Sequence, residues 1–306
     1  MENKTITHPE THPVIHPHKN RYDKIYRFLM LLPLLLVVFS LIYLSLFYSS
    51  NGYLFHQDVS LSGGTVITVR GDFDSVSLEE ELKAEFNDVS FRQLTDITSG
   101  KQLALIISST SQPEILKQSV ETHLGYNLTE DNSSVEFTGS TLSESFARQL
   151  LVALLISFLL MSMVVFVMFK SFIPSIAVIF SAFSNMVLPL TVINLLGIRL
   201  SIAGVAAFLM IIGYSVDNNL LLTKRAITPG EKPLNKRIYG AFKTGMLMDL
   251  TALAAVLPAF FFFQGLPDTF RQIFLIMALG LFFDMINTFM MNAGIIKWYC
   301  DRKGIK

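Results

Sequence analysis

Three carboxylates sit where the chain is otherwise apolar: Asp217, Asp249 and Asp284. Amides accompany them, with Asn218 and Asn219 directly after Asp217, Asn287 three residues after Asp284, and Asn185 in an earlier apolar run. A carboxylate at membrane depth is expensive, so such groups are paired or functional. No buried base is evident to neutralise them. Two chemistries fit that pattern. Each acid can take up and release a proton as water access changes, which makes a relay. Alternatively, neutral Asp and Asn side chains hydrogen-bond between helices, each bond contributing roughly 0.6 to 2 kcal/mol, which makes a brace. Lys224 lies seven residues after Asp217 and on nearly the same helical face, but at the helix end, where it can snorkel to the interface; a permanent salt bridge is not expected.

Covalent chemistry is poorly supplied. The chain contains no H-E-x-x-H, G-x-S-x-G or phosphate-cradling G-x-x-x-x-G-K-[ST] run, and outside the first 20 residues its only histidines are His56 and His123. An intramembrane hydrolase would need two carboxylates sharing one proton. The expectation is a protein that is not an enzyme and carries no cofactor and no metal. Cys300 is the single cysteine, which excludes an intramolecular disulfide. The repeated His-Pro pairs at His8, His12 and His16 read as a disordered tail with adventitious metal affinity.

The elements that must position these acids follow from composition. The chain of 306 residues is 51% hydrophobic and 16% charged, with mean hydropathy +0.49, beyond any ordinary soluble domain of this length. Six apolar runs, 28–48, 149–169, 175–196, 200–223, 243–263 and 272–296, are each long enough to cross a bilayer. An even number of crossings puts both termini on one side. Of the 24 basic residues, 16 fall on that side, including Lys224 and Arg225, and only Arg199 and Arg271 lie in the short opposite loops. Both termini therefore read as cytoplasmic in a multi-pass cell-membrane protein. The rise along a helix places Asp217 and Asp249 on the cytoplasmic side of the midplane and Asp284 close to it, so one interior can hold all three. Asp284, Asn287, Thr288 and Met291 form a helical stripe that should face protein or water. Ala203, Gly204, Ala206, Ala207 and Gly213 would permit close helix approach.

The divisions expected are a disordered cytoplasmic tail 1–27, the first span 28–48, an external domain 49–148, spans two to six over 149–296, and a cytoplasmic tail 297–306. Residues 49–148 hold 15 acidic and 6 basic residues, which argues against nucleic acid as a partner. Period-two and helical spacings predict strand 65–70, helix 78–86, strand 89–94, strand 102–107, a helix 114–124 announced by Pro113, and strand 135–137. That β-α-β-β-α-β order is the ferredoxin-like split arrangement, an α+β domain.

Five stretches now assembled resemble the SecF family of protein-export membrane proteins, most closely its archaeal branch. They are Ser62-Gly63-Gly64-Thr65; GSTLSESFARQ from Gly139; GYSVDNNLLLTKR from Gly213; KTGMLMDLTALAAV, with Thr244 and Gly245; and GLFFDMINTFMMNAGIIKWY, with Asn292 and Trp298. The resemblance implies a six-helix half of the resistance-nodulation-division type. Such a half pairs with a SecD-like subunit and acts with a SecYEG-type translocon on exported unfolded polypeptide. It also implies proton movement near the fourth-span acid; the polar residues themselves give the proposed proton-relay or intramembrane cluster as Asp217, Asn218, Asn219, Asp249, Asp284 and Asn287. Asp217 matches the first acid of the archaeal motif, Asn219 stands where a second acid is usual, and Asp249 stands where threonine is expected. The competing readings are a proton-driven transporter of small molecules or lipids, and a non-conducting scaffold for SecD.

Overall fold

The computed structural model describes residues 21–71, 73–96, 99–262 and 268–305. The His-Pro tail lies outside the described residues. Among the described residues, six helical stretches are long and apolar enough to span a membrane. Helix α1 (Arg21–Asn51) is followed by a single turn α2 (Val59–Ser62) and the small domain. The remaining spans are α5 (Ser140–Phe169), α6 (Phe172–Leu195), α7 (Ile202–Ile227), α8 (Leu234–Phe262) and α9 (Asp268–Ile286). A π-helical segment, Asn287–Asn292, then carries the sixth span into α10 (Ala293–Lys303).

These helices overrun the apolar runs, because intrahelical hydrogen bonding does not stop where the side chains become polar. Residues 21–27, expected in the tail, are the start of α1. Residues 140–148, expected in the small domain, are the start of α5. Lys297, expected in the C-terminal tail, is a buried residue of α10; it pairs with Asp23 at 2.7 Å and Asp301 at 3.3 Å and ties the sixth span to the first.

The small domain runs β1 (Gly64–Arg70), α3 (Ser75–Glu85), β2 (Ser90–Thr95), β3 (Gln102–Ser109), α4 (Pro113–Leu124) and β4 (Ser133–Thr138). Its antiparallel sheet has the order β2-β3-β1-β4, the ferredoxin-like arrangement. Alternation puts Ile67, Val69, Leu105 and Ile107 on the face that packs against Leu78 and Leu82 of α3 and Leu116 and Val120 of α4. The domain enters and leaves the membrane through tight geometry. Gly63 has φ +83°, and a Cβ there would lie 2.4 Å from the Ser140 Cα; Gly64, at φ +142°, would bring one within 2.3 Å of the Ser109 carbonyl. The Gly63-Gly64 pair is therefore required at the junction of domain and α5. Thr65 is fully buried and donates its hydroxyl to the Ser111 carbonyl at 2.6 Å.

Within the membrane part, α7 packs against α9, α6, α8 and α5, and α6 also packs against α9. Helices α6 and α7 are the most buried spans; α5 and α8 have mostly exposed surfaces. The site is built where α6, α7, α8 and the sixth span converge.

Candidate functional site

Asp284 of α9 is buried at the centre of a polar network. Its Oδ1 accepts hydrogen bonds from the Asn185 amide of α6, the Ser215 hydroxyl of α7 at 2.7 Å and the Thr288 hydroxyl at 3.1 Å. The Asn218 amide nitrogen donates to Asp284 Oδ2 at 3.0 Å and to Asp249 Oδ1 of α8 at 2.6 Å. One side chain thus joins both carboxylates. Asp249 Oδ2 and Asn218 Oδ1 are buried and have no hydrogen-bond partner among the described residues.

The network extends along α7. Asn219 donates to the Ser215 carbonyl at 2.9 Å, and its own Oδ1 accepts the Asn292 amide at 2.7 Å. Asn292 also reaches the Thr223 hydroxyl, and Asn287 donates to Asn185 Oδ1. Ser215, Asn218, Asn219, Leu222 and Thr223 share the buried face because they recur at helical spacing. The π segment supplies the matching partners. Its i→i+5 pattern brings residues five apart onto one side, so Asn287 and Asn292 are both fully buried. Pro189 of α6 has no N–H to give to the carbonyl of Asn185, one turn earlier, which loosens the helix at that amide. At Gly245 a Cβ would stand 2.8 Å from the Phe289 ring and 3.4 Å from Asn218 Oδ1, so a small residue is needed where α8 brings Asp249 in.

Asp217 is not part of this network. It lies on an exposed line of α7 with Met210, Gly213 and Lys224, and it makes no hydrogen bond or ion pair among the described residues. A turn of 100° per residue separates it from Asn218, and packing of α7 against α6, α8 and α9 gives the interior to Asn218 and Asn219. Gly213, expected to permit close approach, has open space at its Cβ position. Of the remaining expected residues, Thr244 bonds the Gly240 carbonyl and accepts from Arg225, and Trp298 lies half-exposed beneath Arg302, both away from the carboxylates. Ser215 and Thr223 escaped the sequence reading, since lone hydroxyls are unremarkable in apolar helices. Their spacing of three and four residues from Asn218 and Asn219 is the signal that places them. Among the described residues no group of three His, Cys, Asp or Glu side chains could hold a metal ion.

Residues 118–302 match the family model for the protein export membrane protein SecD/SecF, C-terminal. The protein-export membrane protein SecF of Methanolacinia petrolearia is 34% identical over 93% of this chain and 97% of its own length. This chain belongs to the SecF family. The SecF of Methanocaldococcus jannaschii is 33% identical over 79% of this chain and 86% of its own length. The fold agrees with a solved SecDF from Thermus thermophilus, a translocon-associated membrane protein, at TM-score 0.69 and 19% identity over 92% of this chain. A second SecDF structure, in a super-membrane-facing form, gives TM-score 0.62 at 19% identity over 93% of this chain. The SecF-family chain spans 38% of the first SecDF chain and 39% of the second. Within the family motifs, Gly63, Gly64 and Thr65 shape the domain junction, whereas Gly245 and Asn292 line the polar network.

Proposed function

We propose that this SecF-family chain is an auxiliary, non-enzymatic subunit of a protein-export machine. It pairs with a SecD-like subunit in the cell membrane and assists unfolded polypeptide through a SecYEG-type channel. Its termini are cytoplasmic and its ferredoxin-like domain external, the reading that the distribution of basic residues supports. The Asp249-Asn218-Asp284 bridge exchanges a proton in step with a change of helix packing. The observation that carries this reading is the single Asn218 amide shared by two carboxylates from different helices, with Asp249 Oδ2 left unpartnered. An unpartnered buried oxygen is a place for a proton to arrive, and moving it changes which acid holds the amide. A crevice lined by Ile211, Tyr214, Ser215, Met277 and Leu281 leads to Asp284 but has no room for water, so access requires the helices to move.

Asp217 is assigned a different part. A carboxylate on an open membrane face is costly against lipid, and a polar group of the SecD-like subunit would cover it. Membership of an export family leaves the small-molecule transporter reading without an observation of its own. The scaffold reading has one, because every bond in the network also braces the bundle.

Export assays in membrane vesicles carrying the SecD-like subunit separate these readings. Asp249→Asn and Asp284→Asn, at unchanged abundance and partner association, are expected to remove the stimulation of export by a proton gradient. Stimulation that survives both substitutions rejects the relay and leaves the scaffold. Asp217→Leu is expected to reduce co-purification of the SecD-like subunit; undiminished co-purification rejects that assignment.

A further inference from the structure

Between the small domain and the membrane lies a cavity of about 530 Å³, within the range of ligand sites. One wall is the helix-free face of the sheet, which presents Ser90 and Arg92 of β2 and Ile106 and Ser108 of β3; the cross-strand register pairs Ser90 with Ser108 and Arg92 with Ile106. The opposite wall is made by helix ends: the α6–α7 loop with Leu196, Ile198 and Arg199, the end of α8 with Phe260, and the start of α9 with Arg271, Gln272 and Leu275. Three arginines from three separate elements thus line one space. Among the described residues of the lining the one acid is Asp58, whose carboxylate accepts the Ser60 N–H.

The arginines that come from the membrane side are held in place. Arg199 Nη2 donates to the Asp88 carbonyl at 2.9 Å, and its own carbonyl accepts the Gln272 amide at 2.6 Å. Arg271 lies 5.1 Å from the centre of the Phe260 ring. Among the described residues neither has a carboxylate within 4.0 Å. A guanidinium carries five donors, so one carbonyl contact leaves Arg199 with donors to spare. Planar forks of this kind match phosphate oxygens.

We infer that this cavity binds the phosphate-bearing headgroup of an anionic membrane lipid, with Arg92, Arg199 and Arg271 around the phosphate. Leu196, Ile198, Phe260 and Leu275 flank the lipid chain where it departs toward the bilayer. The apolar wall and the position at the ends of four spans select a lipid over a soluble phosphate ion. Leu196, 63% exposed, opens the wall outward. A lipid seated there would touch the sheet and the helix ends at once and so strengthen the contact between domain and membrane.

The test uses the full chain in neutral detergent, with phosphatidylglycerol and phosphatidylcholine of identical acyl chains as probes and native mass spectrometry and thermal melting as readouts. One phosphatidylglycerol per chain should survive activation that strips phosphatidylcholine, and it should raise the melting temperature. Arg92→Gln and Arg271→Gln should each weaken retention about fivefold, while Lys117→Gln, outside the cavity, should leave it unchanged. If Arg92→Gln perturbs the domain, Arg271→Gln alone at the rim decides. Equal retention of the two lipids, or retention unaffected by Arg271→Gln, overturns the inference. The same thermal stabilisation by inorganic phosphate without lipid overturns it in favour of a soluble anion, and displacement of phosphatidylglycerol by an acidic unfolded peptide overturns it in favour of exported chain.

Discussion

Asn218 donates from one amide nitrogen to Asp249 and Asp284, so its replacement affects two helices together. Asn218→Leu removes the hydrogen bond to Asp249 and one of those to Asp284, and should destabilise the bundle by roughly 1 to 3 kcal/mol, the cost of leaving buried polar groups unsatisfied. Asp217→Asn, one residue earlier but exposed, should change the stability of the isolated chain by no more than about 0.5 kcal/mol. Denaturation in detergent, followed by helical circular dichroism, checks both; similar losses from the two substitutions would contradict this division of the helix. The residue types of the site were legible in the sequence, because an acid or amide within hydrocarbon stands out. Which of three consecutive polar residues turns inward was not legible. That is decided by the packing of α7 on α6, α8 and α9, and Asp217, the most conspicuous of the three, is the one left outside.

The π segment shows the same division at the scale of an element. The sequence displayed the stripe Asp284, Asn287, Thr288 and Met291, all of which are buried, but an ordinary helix would turn Asn292 away from Asn287. The wider turn keeps both inside, and it sets the rotation of α10, where Lys297 must meet Asp23. Deletion of Met290 would restore α-helical register and swing everything after it by about 100°. It should break the Asn292–Asn219 and Lys297–Asp23 contacts together and lower the melting temperature more than Lys297→Met does. Lys297→Met should itself cost at or below the lower end of about 3 to 5 kcal/mol, since Asp23 keeps the Asn235 amide and some exposure. A deletion no more harmful than the point substitution would show that the π turn is dispensable. The six spans and the β-α-β-β-α-β order were legible because apolar length and period-two alternation are local signals. The π turn was not, because no short-range pattern distinguishes it from a helix; only the two asparagines five residues apart hint at it.

The α6–α7 loop ties the small domain to the membrane spans. Leu200 donates its N–H to the His56 carbonyl at 2.7 Å and accepts the Asp58 N–H at 3.0 Å, while Gln272 of α9 caps the same loop through Ser201 and Arg199. Since α9 also carries Asp284, the polar network and the small domain share one rigid helix, about 18 Å between the two attachment points. The domain end of this linkage is Asp88, whose carbonyl holds Arg199. Burial pushes the Asp88 carboxyl up, but the Thr110 hydroxyl, the Thr110 N–H at 2.6 Å and the Ser109 hydroxyl outweigh it and hold it below the usual carboxylate range. A carboxyl depressed in the folded state stabilises that state above its ordinary value of about 3.9, and the contribution is lost as pH falls through the lower folded value. Acidification below the ordinary carboxylate range should therefore loosen the domain at Asp88. Spin labels at Ile115 in the domain and Leu247 in α8, both exposed, would report this as a distance distribution that is narrow near neutral pH and broadens below about pH 4. Asp88→Asn should show part of that broadening already at neutral pH and little further change on acidification. Arg199→Gln, which breaks the contact from the membrane side, should broaden the distribution at every pH. A distribution in Arg199→Gln as narrow as in the parent chain would mean that the domain is held by the linker and the Gly63-Gly64 junction alone.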